Sequence, residues 1–175
     1  MQPLSLFASP SAVLPAVAYS MTFLLASVLT TVEIPQLFGP RFHFNAQQLG
    51  LQFIALIVGS VIGEQLGGLL SDGWMARRAR KLGGARPPPE YRLWLSYLGF
   101  VAAIVGLVVF LVRIDQIRTY DVGPIVGAGV AAGGVQIVTT VLITYAVDCH
   151  SDEAASVGVF ITFVRQIWGF IGPFW

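Results

Sequence analysis

The sequence predicts an all-α protein, a polytopic membrane helix bundle with five transmembrane helices. Three observations carry that prediction. Hydrophobic residues form 55% of the 175-residue chain and charged residues only 11%, against about 25% charged in soluble domains. Five apolar stretches reach the roughly 20 residues that a helix rising about 1.5 Å per residue needs to cross a hydrocarbon core of about 30 Å. The basic residues, finally, gather in one connector, which is how a fixed orientation is encoded in a membrane chain.

A helix is the required form for each stretch because it satisfies its own backbone polar groups where lipid cannot. The spans fall at about 12–34, 49–71, 93–112, 122–147 and 154–175. Arg77, Arg78, Arg80, Lys81, Arg86 and Arg92 all lie in the connector 72–92, so the positive-inside bias makes it a cytoplasmic loop of an integral, multi-pass protein. Connectors 35–50 and 113–121 are then outside and 148–153 inside. Within the cytoplasmic loop, Gly83-Gly84-Ala85-Arg86-Pro87-Pro88-Pro89 reads as a flexible, then stiff, tether. Met1–Ser11 lacks the basic leader of a cleaved signal peptide. A fifth span that runs to Trp175 without an interfacial tail suggests a piece of something longer.

The first span carries a stripe of Tyr19, Thr22, Ala26, Thr30 and Glu33, suited to a cavity wall, with Pro35 as its terminator. In the second, Gly59, Gly63, Gly67 and Ser71 recur every fourth residue and give a face smooth enough for close helix packing. Glu64 flanks that stripe and is expected to point into a bundle or a wet cavity. A desolvated carboxylate there suits proton coupling, while the packing face beside it favours a structural role. The third span is apolar all round, with Gly99 and Gly106 as small breaks, and reads as a peripheral helix bathed in lipid.

The fourth span combines Gly123, Gly127, Gly129, Gly133 and Gly134, a bendable outer half, with a polar inner face of Gln136, Thr140, Thr144 and Asp148. In the fifth, Gly158, Thr162, Arg165, Gly169 and Gly172 line one stripe, placing Arg165 roughly 16 Å from the cytoplasmic end. An arginine at that depth on a lipid face costs about 2.5–3.5 kcal/mol even on the lenient insertion scale. Arg165 therefore faces water, a carboxylate or a substrate, either as a cavity charge or as half of an internal salt bridge. With Gln136, Thr140, Tyr19 and Thr162 it forms the candidate substrate-cavity set.

The residues exclude several classes. A net charge of +1 lacks the basic excess that nucleic acid requires. One cysteine, Cys149, allows no internal disulfide. Asp148-Cys149-His150, adjacent at a helix end, cannot converge on one metal and lacks an assembled oxyanion hole. No phosphate-cradling Gly-Lys-Ser/Thr loop or His-Glu-x-x-His helix occurs. No cofactor, metal or catalytic residue is expected, and the chain does not read as an enzyme.

Three segments resemble the major facilitator superfamily, and within it the twelve-span drug:proton antiporters common in fungi. Gly68-Leu69-Leu70-Ser71-Asp72 followed by Arg77 and Arg78 looks like the family's loop signature, with Met75 in place of its second glycine and Ala76 in place of its first basic residue. Pro89-Glu90-Tyr91-Arg92-Leu93 resembles the opening of the ninth helix. Tyr145-x-x-Asp148 followed by Ala154-Ala155-Ser156, Arg165, Gly169 and Pro173 is similar to the tenth-to-eleventh helix spacing. The resemblance implies a C-terminal-half fragment, helices seven to eleven, lacking the N-terminal six-helix half and the final helix. It implies that Gly68, Asp72, Arg77, Arg78 and Asp148 belong to a gating loop, with Asp72 and Arg77 forming a latch toward the absent half. It also implies a secondary, proton-coupled transporter that moves a small organic solute or drug by alternating access in a plasma or vacuolar membrane. A non-transporting truncated membrane protein with a packing or regulatory role is the alternative. The fragment alone is expected to show no transport.

Overall fold

The computed structural model describes residues 9–85, 87–116 and 120–174; Arg86 of the basic connector and the terminal Trp175 lie outside the described residues. Among the described residues, five helices are long and apolar enough to cross a membrane. We number them α1, Pro10–Phe42; α2, Ala46–Lys81; α3, Leu93–Gln116; α4, Gly123–Cys149; and α5, Ala154–Ile171. Together they form a polytopic membrane bundle.

Several boundaries differ from the sequence reading, each for a local reason. α1 does not stop before Pro35 but continues through Pro35 and Pro40 to Phe42, interrupted only by a π-helical turn at Leu24–Val28. Both prolines are exposed, as are Thr31 and Gln36 four residues before them, so the carbonyls that the missing N–H groups release are not sealed inside the protein. α2 begins at a capping box in which the Asn45 side chain accepts from the Gln48 amide at 2.9 Å and the Gln48 side chain accepts from the Asn45 amide at 3.1 Å.

The far end of α2 runs furthest beyond its span. Residues 72–81, within the connector that the sequence assigns to the cytoplasmic side, are helical. Met75 stands where the signature has its second glycine, and the Ala, Arg and Lys residues that follow are good helix formers, so the helix runs on past Asp72-Gly73. The helix ends where Gly83 and Gly84 adopt φ of +67° and +92°, and the Gly84 amide closes the turn onto the Ala79 carbonyl at 3.0 Å.

α4 is the central helix, in contact with the other four, and most of it is buried. Its glycines are seams rather than hinges, for the helix runs unbroken from Gly123 to Cys149. Toward α2, Gly129 and Gly133 meet Gly59 and Gly63: a Cβ on either α2 glycine would strike the facing carbonyl oxygen, and one on Gly133 would sit 2.9 Å from the Gly59 oxygen. Toward α3, a Cβ on Gly127 or Gly134 would lie 2.9 Å or 2.7 Å from the carbonyls of Gly106 and Gly99. Two backbones approach α4 from two sides because neither side carries a side chain at the crossing.

α3 is therefore not uniformly bathed in lipid. Ser96, Gly99, Ala103, Gly106 and Phe110 are buried at helical spacing, while Leu98, Val101, Ile104, Val105, Val108 and Val112 remain exposed. The small residues make an inward face that hydropathy alone does not distinguish from the rest. α5 is set on the bundle by Val157, Phe160 and Ile161, which pack with Ala12, Ala16 and Tyr19 of α1.

Candidate functional site

Two clusters bring together the polar side chains of this apolar molecule. The first lies inside the membrane between α1 and α5. Tyr19 stands nine residues into α1 and Arg165 eleven residues into α5, depths of roughly 14 and 16 Å along two helices that start at the same end. The two meet: the Arg165 guanidinium donates to the Tyr19 hydroxyl at 3.2 Å. One turn further along α1, the ring of Phe23 faces the same cation, 4.8 Å from centroid to guanidinium carbon. Arg165 Nε is buried with no hydrogen-bond partner, and among the described residues no carboxylate pairs with this arginine. Its partners here are neutral, so the salt-bridge alternative is not realised among the described residues.

The α1 side of that cluster is locally unusual. The π-helical turn begins at Leu24, immediately after Phe23. Gly169 lies against Phe23 and Val28, and Gly172 against Leu24. A π turn is the kind of irregularity that re-aims side chains at functional positions, and the apolar sequence Leu-Leu-Ala-Ser-Val gives no signal of it.

The remaining cavity candidates are not gathered around Arg165. Thr162 is exposed. Gln136 and Thr140 are half-buried on α4, where Thr140 donates to the Gln136 carbonyl at 2.9 Å and Thr144 to the Thr140 carbonyl at 2.6 Å. Thr140 belongs to the α2–α4 seam, since a Cβ on Gly67 would lie 3.3 Å from its own. Glu64 corrects an expectation as well: the glycine stripe takes up the inward face of α2, and Glu64, one residue beyond Gly63, is exposed together with Gln65. It points away from this bundle.

Among the described residues, the carboxylate with a buried oxygen that makes no hydrogen bond is that of Glu33, at Oε2, and the Thr30 hydroxyl one turn earlier is buried without a partner as well. Sequence reading set both on the first-span stripe suited to a cavity wall and gave neither a part in proton coupling.

The second cluster sits at the basic end, and its centre is Arg92. Its Nε donates to Asp148 at 2.9 Å, one terminal nitrogen donates to the Ser71 hydroxyl at 2.5 Å, and the same nitrogen reaches Asp72 at 3.4 Å. The Arg92 side chain is 13% exposed and Asp148 21%, whereas Asp72 is 81% exposed. One guanidinium thus ties α2, the short 3₁₀ turn Pro89–Arg92 and α4 into a single knot. Asp72 and Arg77, the residues expected to latch onto the absent half, are not paired with each other among the described residues, where Asp72 meets Arg92 instead. Arg77 and Arg78 instead line a groove with Trp74, Arg80, Lys81 and Tyr91, and Arg78 lies 4.4 Å above the Tyr91 ring. Gly68 is half-buried and takes no part in the knot.

At the opposite end, Arg41 caps α3. It donates to the Ile114 carbonyl at 2.6 Å and to the Asp115 carbonyl at 3.3 Å, placing a cation at a helix C-terminus. Phe38, Phe42, Phe44 and Tyr120 pack around each other beside it, and Tyr120 donates to Gln52 at 3.1 Å.

The chain is 28% identical over 168 residues to "MFS-type transporter hepF" of Aspergillus oryzae, covering 96% of this chain and 34% of that protein. It is 31% identical over 157 residues to "MFS-type transporter penM" of Penicillium rubens, covering 90% and 29%. With "Efflux pump radE" of Floropilus chiversii it shares 29% over 158 residues, covering 90% and 28%. The chain thus spans about a third of the length of the curated relatives it matches. No family model matches it, and no solved structure matches it significantly. It is a relative of the fungal major facilitator superfamily transporters, and its extent is consistent with a piece of their C-terminal half.

Proposed function

We propose that this relative of the major facilitator superfamily transporters supplies one wall of a secondary transport pathway for a small organic solute. Its Arg165 is the charge that the solute meets. The single observation that carries this reading is a guanidinium near mid-membrane held only by a phenol and an aromatic ring, with one nitrogen buried and unpartnered. A buried donor without an acceptor costs about 1–3 kcal/mol. A solute bearing an acidic or strongly accepting group would recover that cost, while its apolar body would lie against Phe23 and the surrounding aliphatic wall.

The geometry also supports alternating access. Arg92 and Asp148 tie three elements at the basic end, and the exposed Asp72 offers a carboxylate that a facing half can take up. Such a cluster can hold one end of the pathway closed and release it when the halves rock. The positive-inside bias puts that end in the cytosol, in a plasma or vacuolar membrane. For proton coupling we favour Glu33 over Glu64: a carboxylate oxygen buried without a partner suits proton exchange better than an exposed one. The residues outside this segment in the relatives would complete the cavity.

The test is gradient-driven efflux of a fluorescent amphipathic acid from cells making a full-length protein that contains this segment. Efflux that collapses with a protonophore and with Arg165→Ala supports the reading. Wild-type efflux in Arg165→Ala overturns Arg165 as the solute contact, and an absence of efflux from the full-length protein favours the non-transporting alternative.

A further inference from the structure

The groove formed by Trp74, Arg77, Arg78, Arg80, Lys81 and Tyr91 is not used by the transport reading. It encloses about 650 Å³, and its lining contains four cations, two aromatic rings and no carboxylate. Helical continuation past Asp72 creates it. Trp74, Arg77, Arg78 and Lys81 are spaced i, i+3, i+4 and i+7, which puts all four on one face of α2 only because the stretch stays helical. Tyr91 supplies the opposite wall, held there by its neighbour Arg92 in the knot with Ser71 and Asp148.

The depth of the groove indicates its occupant. If the apolar part of α2 fills the hydrocarbon core as far as residue 71, the following ten residues extend about 15 Å further along the axis. The interfacial layer adds only about 5–8 Å on each side to reach a bilayer about 40–45 Å thick, so Trp74, about 4–5 Å out, stands inside it at the level favoured by indole rings. Arg77 and Arg78 lie about 9–11 Å out and Lys81 about 15 Å out; their long side chains lean toward the helix N-terminus, and so back toward the lipid phosphates and the headgroup beyond them. Arg78, which lines the groove with its guanidinium 4.4 Å from the Tyr91 ring centroid, has no carboxylate partner among the described residues, so its charge is not neutralised there. A soluble polyanion would need none of this registration with the bilayer.

We propose that the groove is a binding site for the headgroup of an anionic phospholipid, with Arg77, Arg78 and Lys81 on the phosphates and Trp74 on the glycerol–acyl boundary. The site is independent of which solute is moved and of whether the chain transports at all.

The test is native mass spectrometry of the full chain released from mixed micelles holding phosphatidylinositol 4-phosphate and phosphatidylcholine with the same acyl chains. The expected result is at least tenfold preferential retention of the phosphoinositide. Arg77→Gln/Lys81→Gln should reduce that preference to twofold or less, while Arg113→Gln at the opposite end leaves it intact. Should the double variant fail to fold, as circular dichroism would show, Lys81→Gln alone, at the exposed end of α2, should still weaken retention and make it less sensitive to salt. Equal retention of both lipids, or undiminished preference in the Lys81 and double variants, would overturn the proposal. So would a soluble inositol phosphate that binds as tightly as the lipid, since the occupant would then not be a membrane component.

Discussion

The Tyr19 hydroxyl and the Arg165 guanidinium meet at 3.2 Å between α1 and α5, although 146 positions separate them. Two consequences follow from a cation held by neutral groups alone. Its charge remains available, and its orientation depends on a single hydroxyl. Tyr19→Phe keeps the ring and removes the acceptor, so we expect a loss of about 1 kcal/mol of stability and weaker solute binding, seen as a raised half-saturation concentration at unchanged maximal efflux. Arg165→Lys should retain part of the flux, because a lysine keeps the charge but not the fork, and Arg165→Ala should retain none. Equal flux in all four proteins would remove the cation from the pathway.

Arg92 gives a prediction that separates a knot from a surface ion pair. The Arg92–Asp148 contact is largely buried at 2.9 Å, while Asp72 is 81% exposed. A double-mutant cycle with Arg92→Gln and Asp148→Asn should return a coupling of about 1.5–3 kcal/mol. The same cycle with Asp72→Asn should return no more than about 0.5 kcal/mol in the isolated chain, because solvent screens the exposed pair. Reversible denaturation in detergent is the measurement, and equal couplings would show that the geometry at Asp148 confers nothing special.

The α2–α4 seam should tolerate very little. A Cβ on Gly63 would run into the Gly133 carbonyl, so Gly63→Ala must push two backbones apart. We expect a loss of about 1–3 kcal/mol, the usual cost of overpacking, whereas Gly68→Ala, with nothing within 4 Å of the added methyl, should stabilise slightly through helix propensity. Melting temperatures of the two variants, side by side, decide the point.

How much of this was legible beforehand follows from where the information sits. Span number is a property of composition and length, so it can be read directly. The glycine spacing in the second span named a packing face because a four-residue repeat has one meaning on a helix. Arg165 stood out because a charge in an apolar run is costly wherever it points. Arg92 did not, for among six basic residues in one connector nothing in the sequence marks the one that folds back onto Ser71 and Asp148. The helical end of α2 was missed for a related reason: charge density reads as solvent exposure, and a solvated helix is as polar as a loop. The π turn has no sequence signal, since the apolar run Leu24–Val28 is as compatible with an ordinary α-helical turn.

The last prediction concerns the two acidic residues of the membrane spans. Glu64 was the sequence's candidate for coupling, yet it is exposed on the outer face of α2, while Glu33 has an oxygen buried without a partner beside the equally unpartnered Thr30 hydroxyl. A group that exchanges a proton during transport must be reachable in one state and sequestered in another, and only Glu33 is half-sequestered by this chain. Glu33→Gln replaces an exchangeable acid with a neutral side chain of similar shape. In a full-length protein containing this segment it should abolish the dependence of efflux on the imposed pH gradient while leaving solute binding within about twofold. Glu64→Gln should leave the pH dependence as it is. The reverse pattern, with coupling lost at Glu64 and kept at Glu33, would mean that the residues beyond this segment bury Glu64 and supply Glu33 with the hydrogen bond it lacks here.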